Sequence, residues 1–107
     1  MTLAFGAYGT SQTNTILIPA QEGRIIRVVK VVVSSWSAMR ITFVSDPGPD
    51  PLNLTPPLYI GTGSPFVLSL GRALAVTTQR GKALGLTTSY QSMPGECSVA
   101  VWYEVVT

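Results

Sequence analysis

The feature that most restricts the fold of this chain is the shortness of its apolar blocks. Runs of Val, Ile, Leu, Phe and Thr are interrupted every few residues by Gly, Pro, Ser or Asn, and apolar residues never keep helical spacing for more than a turn or two. We therefore predict eight strands, at residues 15–19, 24–34, 38–45, 57–61, 65–70, 73–78, 82–90 and 97–106. A chain of 107 residues suits one domain, so these strands predict an all-β, single-domain antiparallel β-sandwich that is jelly-roll-like.

Two strands show how the sandwich should divide core from surface. In residues 39–45, apolar side chains alternate with Arg40 and Thr42, as in a strand with one face in water. One face of the last strand is apolar and comprises Cys97, Val99, Val101, Tyr103 and Val105. Its other face comprises Ser98, Ala100, Trp102 and Glu104, and therefore still carries an indole.

The run from Ile25 to Val33 is apolar on both faces and is interrupted only by Arg27 and Lys30. Such a strand is expected to be covered on both sides. In a small sandwich the opposite sheet can cover only one face of this strand. We therefore expect its other face to be covered by a loop, an arm or, preferably, a neighbouring subunit.

Two segments do not follow the strand pattern. Residues 1–14 are rich in Gly, Ser, Thr and Asn, with Phe5 and Tyr8 as aromatic anchors, and predict an extended N-terminal arm that orders on docking. The β-sandwich domain is then residues 15–107. Residues 46–57 contain five of the eight prolines, including Pro47 and Pro49, and predict a stiff, exposed loop.

The charge content indicates an assembled protein. Lys and Arg number 7 and Asp and Glu number 5, which is 11% of the chain, against about 25% in a typical soluble domain. A chain with so few charges is expected to hide much of its surface against partners, most simply copies of itself. The basic residues are scattered singly and no apolar run is long enough to span a membrane, so neither nucleic acid nor a membrane is an expected partner.

No residue set predicts catalysis. The chain lacks His, which excludes histidine-containing triads and imidazole-ligated metal sites, and Cys97 is the single cysteine, expected to be buried in a strand. The five carboxylates could serve a glycosidase only as a facing pair, and most lie in predicted turns. Asp46 and Asp50 could bind Ca²⁺, but a rigid surface turn accounts for them better. We predict no enzyme activity, catalytic residue, metal or cofactor.

Trp36 lies in a Ser-rich segment that predicts a loop tip. It is a candidate ligand-binding or interface residue, with core packing as a third possibility. A sugar platform would combine it with Tyr59 or Tyr90. The candidate interface residues from the whole chain are Phe5, Tyr8, Trp36, Pro47, Pro49 and Trp102.

The order of the strand motifs in the last two thirds of the chain is informative. These motifs are RITFVS at 40–45, GTGSPFVL at 61–68, GKALGLTTS at 81–89 and VAVWYEV at 99–105. This order resembles that of the small β-sandwich structural proteins in the virions of tailed bacteriophages.

The resemblance implies a head decoration, or cement, protein. Such a protein forms a homo-oligomer, often a trimer, binds the lattice of the major capsid protein and lies on the capsid surface after synthesis in the host cytoplasm. Residues 1–14 would dock on the lattice, and the loop at 46–57 would project outward or pack at the threefold axis. A phage tail or fibre component and a carbohydrate-binding β-sandwich module remain alternatives.

Overall fold

The computed structural model describes residues 2–9, 11–61, 65–70, 76–90 and 96–107. In this part of the chain all regular structure is β. The strands are β1 (Thr2–Tyr8), β2 (Thr15–Ile18), β3 (Ile25–Ser35), β4 (Met39–Ser45), β5 (Leu52–Asn53), β6 (Leu58–Ile60), β7 (Phe66–Ser69), β8 (Val76–Thr77), β9 (Leu84–Tyr90) and β10 (Cys97–Val106).

The strands form two antiparallel sheets. Sheet A has the order β1-β10-β3-β7, with β8 also paired to β3, and sheet B has the order β2-β9-β4-β5, with β6 also paired to β4. Taking β5 with β6 and β7 with β8 as interrupted strands reduces the orders to 1-8-3-6 and 2-7-4-5. This is the double-sheet wrapping of a jelly roll, so the predicted β-sandwich is confirmed.

Each of the eight predicted strands overlaps an observed strand. Of the predicted strand at 73–78, residues 73–75 lie outside the described part of the chain, and the remainder contains β8. Local alternation of side chains was sufficient for these predictions because it does not depend on which strands become neighbours.

The core lies between the sheets and confirms the predicted faces. Its fully buried side chains come from the centres of four strands and include Val31, Val33, Ile41, Leu84, Leu86, Val99 and Val101. Met39 and Phe43 are buried while Arg40 is exposed, as the alternation in β4 predicted. Cys97 is a buried free thiol, and Tyr103 packs against the edge of the core.

Strand β1 lies within the segment predicted as an extended arm. It pairs with β10 in unbroken register from Thr2 opposite Tyr103 to Tyr8 opposite Cys97. Ala4 and Tyr8 pack against the core, and the Tyr8 ring lies over Gly6, where an added Cβ would be 2.6 Å from the phenol oxygen. Residues 2–8 are therefore a strand of sheet A in the folded chain, held by its pairing with β10 and by the packing of Ala4 and Tyr8 against the core.

The Pro-rich segment after β4 folds back along sheet B. Its strand β5 pairs with β4, and the Leu54 N–H donates to the Phe43 carbonyl at 2.8 Å. Pro47 is half-buried against Gly85 of β9, while Pro49 is exposed. The beginning of this loop consequently covers part of the outer surface of sheet B.

The contact between Pro47 and Gly85 gives a test of this arrangement. A Cβ at Gly85 would lie 2.7 Å from the Pro47 ring and 2.8 Å from the Thr15 carbonyl oxygen. We expect Gly85→Ala to lower the free energy of unfolding by about 1–3 kcal/mol, measured by urea denaturation. The matched control is Gly61→Ala, where nothing lies within 4 Å of the added Cβ. Equal stability of the two variants would contradict the packing described here.

Candidate functional site

The outer surface of sheet A presents side chains in rows that cross the sheet. The first row is Leu3, Trp102, Lys30 and Ser69, the second is Phe5, Ala100, Val32 and Val67, and the third is Ala7, Ser98 and Ser34. We call these residues the sheet A face. Paired residues in antiparallel strands point to the same side, so each row is a set of lateral neighbours.

The sheet A face is largely apolar and open to solvent. Phe5 is 67% exposed, Val67 54% and Leu3 52%. Single exposed apolar residues are ordinary on protein surfaces, but here one apolar row crosses all four strands. A continuous apolar patch of this kind is typical of an interaction surface.

Three charged residues described on this side of the molecule, Lys30, Arg27 and Glu104, all have partners. The Lys30 ammonium lies 5.1 Å from the centre of the Trp102 ring, in the geometry of a cation–π contact. At one end of the sheet, Arg27 and Glu104 approach to 3.6 Å. A partner that covers the sheet A face would therefore not have to bury an uncompensated carboxylate there.

The outer side of sheet B has a different character. The row Tyr59, Arg40 and Ser89 crosses β6, β4 and β9, and the next row is Thr42 and Thr87. Arg40, Tyr59, Ser89 and Tyr90 line a shallow cleft of about 610 Å³. In the row that contains Gly85, Val44 is buried while Ile16 at the β2 edge is 56% exposed. Sheet B thus presents hydroxyl groups and an arginine in its middle rows and one exposed isoleucine at its edge, whereas an apolar row crosses all four strands of sheet A.

A second cleft, of about 340 Å³, opens at one end of the sheet A face and is lined by Ser34, Ser35, Trp36, Glu96 and Ser98. We call it the Trp36 cleft. The Trp36 indole is 77% exposed, in the turn between β3 and β4. Its location at a loop tip is the one that the sequence predicted.

Hydrogen bonds hold the turn that carries Trp36. The Trp36 backbone N–H donates to the Glu96 backbone carbonyl at 3.1 Å, which connects the turn to the start of β10. The Ser35 hydroxyl donates to the Ser37 carbonyl at 2.6 Å and accepts from the Ser37 N–H at 3.2 Å. The backbone beneath the indole is therefore held in place although the indole itself is exposed.

Tyr8 and Tyr90 join the two sheets at the same end of the sandwich. The Tyr90 hydroxyl donates to the Tyr8 carbonyl at 3.2 Å. The pKa of the Tyr90 phenol lies well above its usual value, first because the phenol is partly buried. A hydrogen bond with the Cys97 thiol, the electrostatic effect of the same thiol and the charge of Glu96 raise this pKa further. Burial, followed by the proximity of Cys97, also raises the pKa of Tyr8. Both phenols therefore keep their protons to a higher pH than an ordinary tyrosine does.

The six interface candidates from the sequence fall into separate places. Phe5 and Trp102 lie on the sheet A face, and Trp36 lines its own cleft. Tyr8 packs against the core, Pro47 contacts Gly85, and Pro49 is exposed on the loop.

Sequence reasoning missed Leu3, Val32, Val67 and Ala100 as surface neighbours of Phe5 and Trp102. Alternation within each strand was the available signal, but it does not say which strands lie side by side. The proposed aromatic partners of Trp36 are also separated from its cleft, because Tyr59 and Tyr90 line the cleft on sheet B.

Within the described residues, no cluster of three or more His, Cys, Asp or Glu side chains is placed to hold a metal ion. The described residues also form no helix that is long and apolar enough to cross a membrane. Comparison with models of known protein families finds no match, and no curated protein sequence matches the chain.

The raised pKa of Tyr90 predicts the behaviour of the protein in alkali. An unfolded tyrosine loses its proton near pH 10, whereas folding favours the neutral phenol of Tyr90. Its contribution to stability is therefore complete below about pH 10 and is lost as the pH rises through the higher folded pKa. We expect the free energy of unfolding to fall above about pH 10, and to fall less steeply in Tyr90→Phe. Urea denaturation from neutral to alkaline pH measures this, with Tyr59→Phe as control, and equal slopes for Tyr90→Phe and the unaltered protein would contradict it.

Proposed function

We propose that this chain is a non-enzymatic structural subunit of a tailed-phage virion, most specifically a head decoration protein that assembles with copies of itself. The observation that carries this proposal is the apolar row across the sheet A face, on a chain with only 11% charged residues. The resemblance of the strand motifs to phage virion proteins supplies the biological context. The jelly-roll wrapping is consistent with it, since viral capsid proteins commonly use this architecture.

Burying the sheet A face would stabilise an oligomer through the hydrophobic effect. Removal of apolar surface from water contributes about 25 cal/mol per Å². Phe5, Leu3 and Val67 are each more than half exposed and would supply much of that surface. An aromatic and aliphatic centre with serines and charged residues at its margin has the usual arrangement of a protein interface.

The edges of the two sheets also favour a partner beside sheet A. In the described part of the chain, three of the four sheet edges consist of short strands, because β2 has 4 residues, β5 and β6 have 2 and 3, and β7 and β8 have 4 and 2. Such edges resist pairing with other chains. Strand β1 has 7 residues in continuous register, no charge, and a second edge that pairs with no described strand. An edge of this kind is expected to lie beside a partner.

A second copy of the chain is the occupant we propose for the first two rows of the sheet A face, which run from Leu3 to Ser69 and from Phe5 to Val67. The surface of every copy is poor in charge, so two copies meet with little electrostatic repulsion. Arg27 and Glu104 lie together at one end of the sheet, and around a threefold axis Arg27 of one copy can face Glu104 of the next. The trimeric state is taken from the resemblance to decoration proteins.

The mechanism of such a protein is multivalent binding. Each subunit makes weak contacts with the major capsid protein, and an oligomer makes several of them at once, which raises the overall affinity without any strong single contact. Bridging neighbouring capsid subunits in this way resists the pressure of packaged DNA. A tail or fibre component would form the oligomer but would have no affinity for the shell.

The oligomer can be tested by light scattering coupled to size-exclusion chromatography over a dilution series. We expect a persistent species near three times the chain mass of 11.4 kDa. Phe5→Asp places a charge in the apolar row and should give monomers at all but the highest concentrations. Tyr59→Asp is the matched control, because Tyr59 is 64% exposed but lies on sheet B. A monomeric unaltered protein would contradict the proposal.

Shell binding distinguishes the head from the tail. We expect the chain to co-sediment with the assembled heads of its phage and to leave unassembled major capsid protein unbound. Phe5→Asp should weaken co-sedimentation by at least about tenfold, because a monomer loses the gain from multiple contacts. An oligomer that fails to bind heads would instead support a tail or fibre role.

A further inference from the structure

We infer that the Trp36 cleft is a binding site for a neutral carbohydrate. The inference goes beyond the proposed structural role and does not depend on it. It rests on an exposed tryptophan, a glutamate and two serines, Ser34 and Ser98, which together line one space of about 340 Å³. This volume lies at the lower end of the range found for small-molecule sites.

The indole supplies the apolar side of the site. Trp36 is the most exposed large apolar residue among those described, at 77%. Removing an indole ring from water is strongly favourable, so a ligand that covers Trp36 would gain binding energy. The C–H groups on one side of a pyranose ring form a flat apolar surface that can stack on an aromatic ring. A sugar ring would therefore cover the indole while its hydroxyl groups still point to polar partners.

The polar partners can be reached from solvent. Ser34 and Glu96 are exposed, and Ser98 is half-buried. A carboxylate has two acceptor oxygens and can take hydrogen bonds from two adjacent hydroxyl groups of a sugar. Ser34 and Ser98 face each other across β3 and β10, and their hydroxyls can both donate and accept.

The charge of the cleft favours a neutral ligand over a nucleotide or an acidic glycan. Among the described residues that line the cleft, Glu96 is the charged one, and that set contains neither Lys nor Arg. A phosphate or a sugar carboxylate would be repelled by the Glu96 carboxylate. Stacking of a nucleobase on Trp36 would bring such a phosphate close.

The cleft is preorganised. The Trp36 backbone N–H donates to the Glu96 backbone carbonyl at 3.1 Å, which joins the residue that carries the indole to the residue that carries the carboxylate. The two hydrogen bonds between Ser35 and Ser37 hold the turn in its shape. Binding would therefore require little ordering of the backbone, and this lowers the entropic cost of association. In an oligomer, several such clefts could hold one polysaccharide together.

The test uses the full chain and a panel of neutral oligosaccharides, namely cellohexaose, maltohexaose and mannohexaose, with hexagalacturonic acid as the charged comparator. Binding is followed by calorimetry and by the indole N–H signals of Trp36 and Trp102 in NMR spectra. We expect at least one neutral sugar to bind more tightly than about 1 mM and to shift the Trp36 signal. The Trp102 signal should stay in place.

The variants separate a binding role from a structural one. Trp36→Ala should abolish measurable binding and Glu96→Gln should weaken it about tenfold, because one acceptor is replaced by a donor. Tyr59→Ala is the matched control, since it removes an exposed aromatic ring outside the cleft, and should bind normally.

Two results would overturn the inference. One is the failure of every neutral sugar to bind. The other is a Trp36→Ala variant that binds sugar normally but has a reduced oligomer mass, which would make Trp36 an interface residue. Because Phe5→Asp alters assembly without touching the cleft, failure of the oligomer and failure of sugar binding are measured separately.

Discussion

The pairing of β3 with β10 is the interaction on which the rest of the structure depends. These are the two longest strands, with 11 and 10 residues, and they form the centre of sheet A. Strand β1 attaches to one side of the pair, and β7 and β8 attach to the other. Their inward side chains, among them Val33 and Val99, form the half of the core that sheet B covers. Loss of this pair would remove the support of every other strand in the sheet.

The same pair creates the surface that we associate with assembly. Strand β3 is apolar on both sides, and sheet B can cover only one of them. Val32 and its neighbour Ala100 therefore remain on the outside, and Phe5 and Val67 extend the apolar row to both edges. A freely soluble monomer would gain nothing from such a row, whereas a subunit that is covered by another copy gains stability from it.

The two sides of the sandwich differ because the chain covers them differently. On sheet B, Pro47 packs on Gly85, the row partner of the buried Val44, and the neighbouring rows carry hydroxyl groups and Arg40. On sheet A, the described chain places no comparable cover. The Trp36 cleft lies at the end of sheet A, where the apolar rows give way to Ser34 and Ser98. Assembly and ligand binding would therefore use neighbouring but distinct parts of one surface.

The sequence by itself determined the strands and their faces. Alternation in residues 39–45 and 97–106 predicted the inward and outward side chains correctly, because the two-residue period of a strand is a local property. Tertiary structure alone decided that Thr2–Tyr8 is a strand, that Pro47 lies on Gly85, and that Phe5, Ala100, Val32 and Val67 form one row. These outcomes depend on register between residues far apart in the chain, and the energy that selects a register comes from side-chain packing across strands, which no single segment contains.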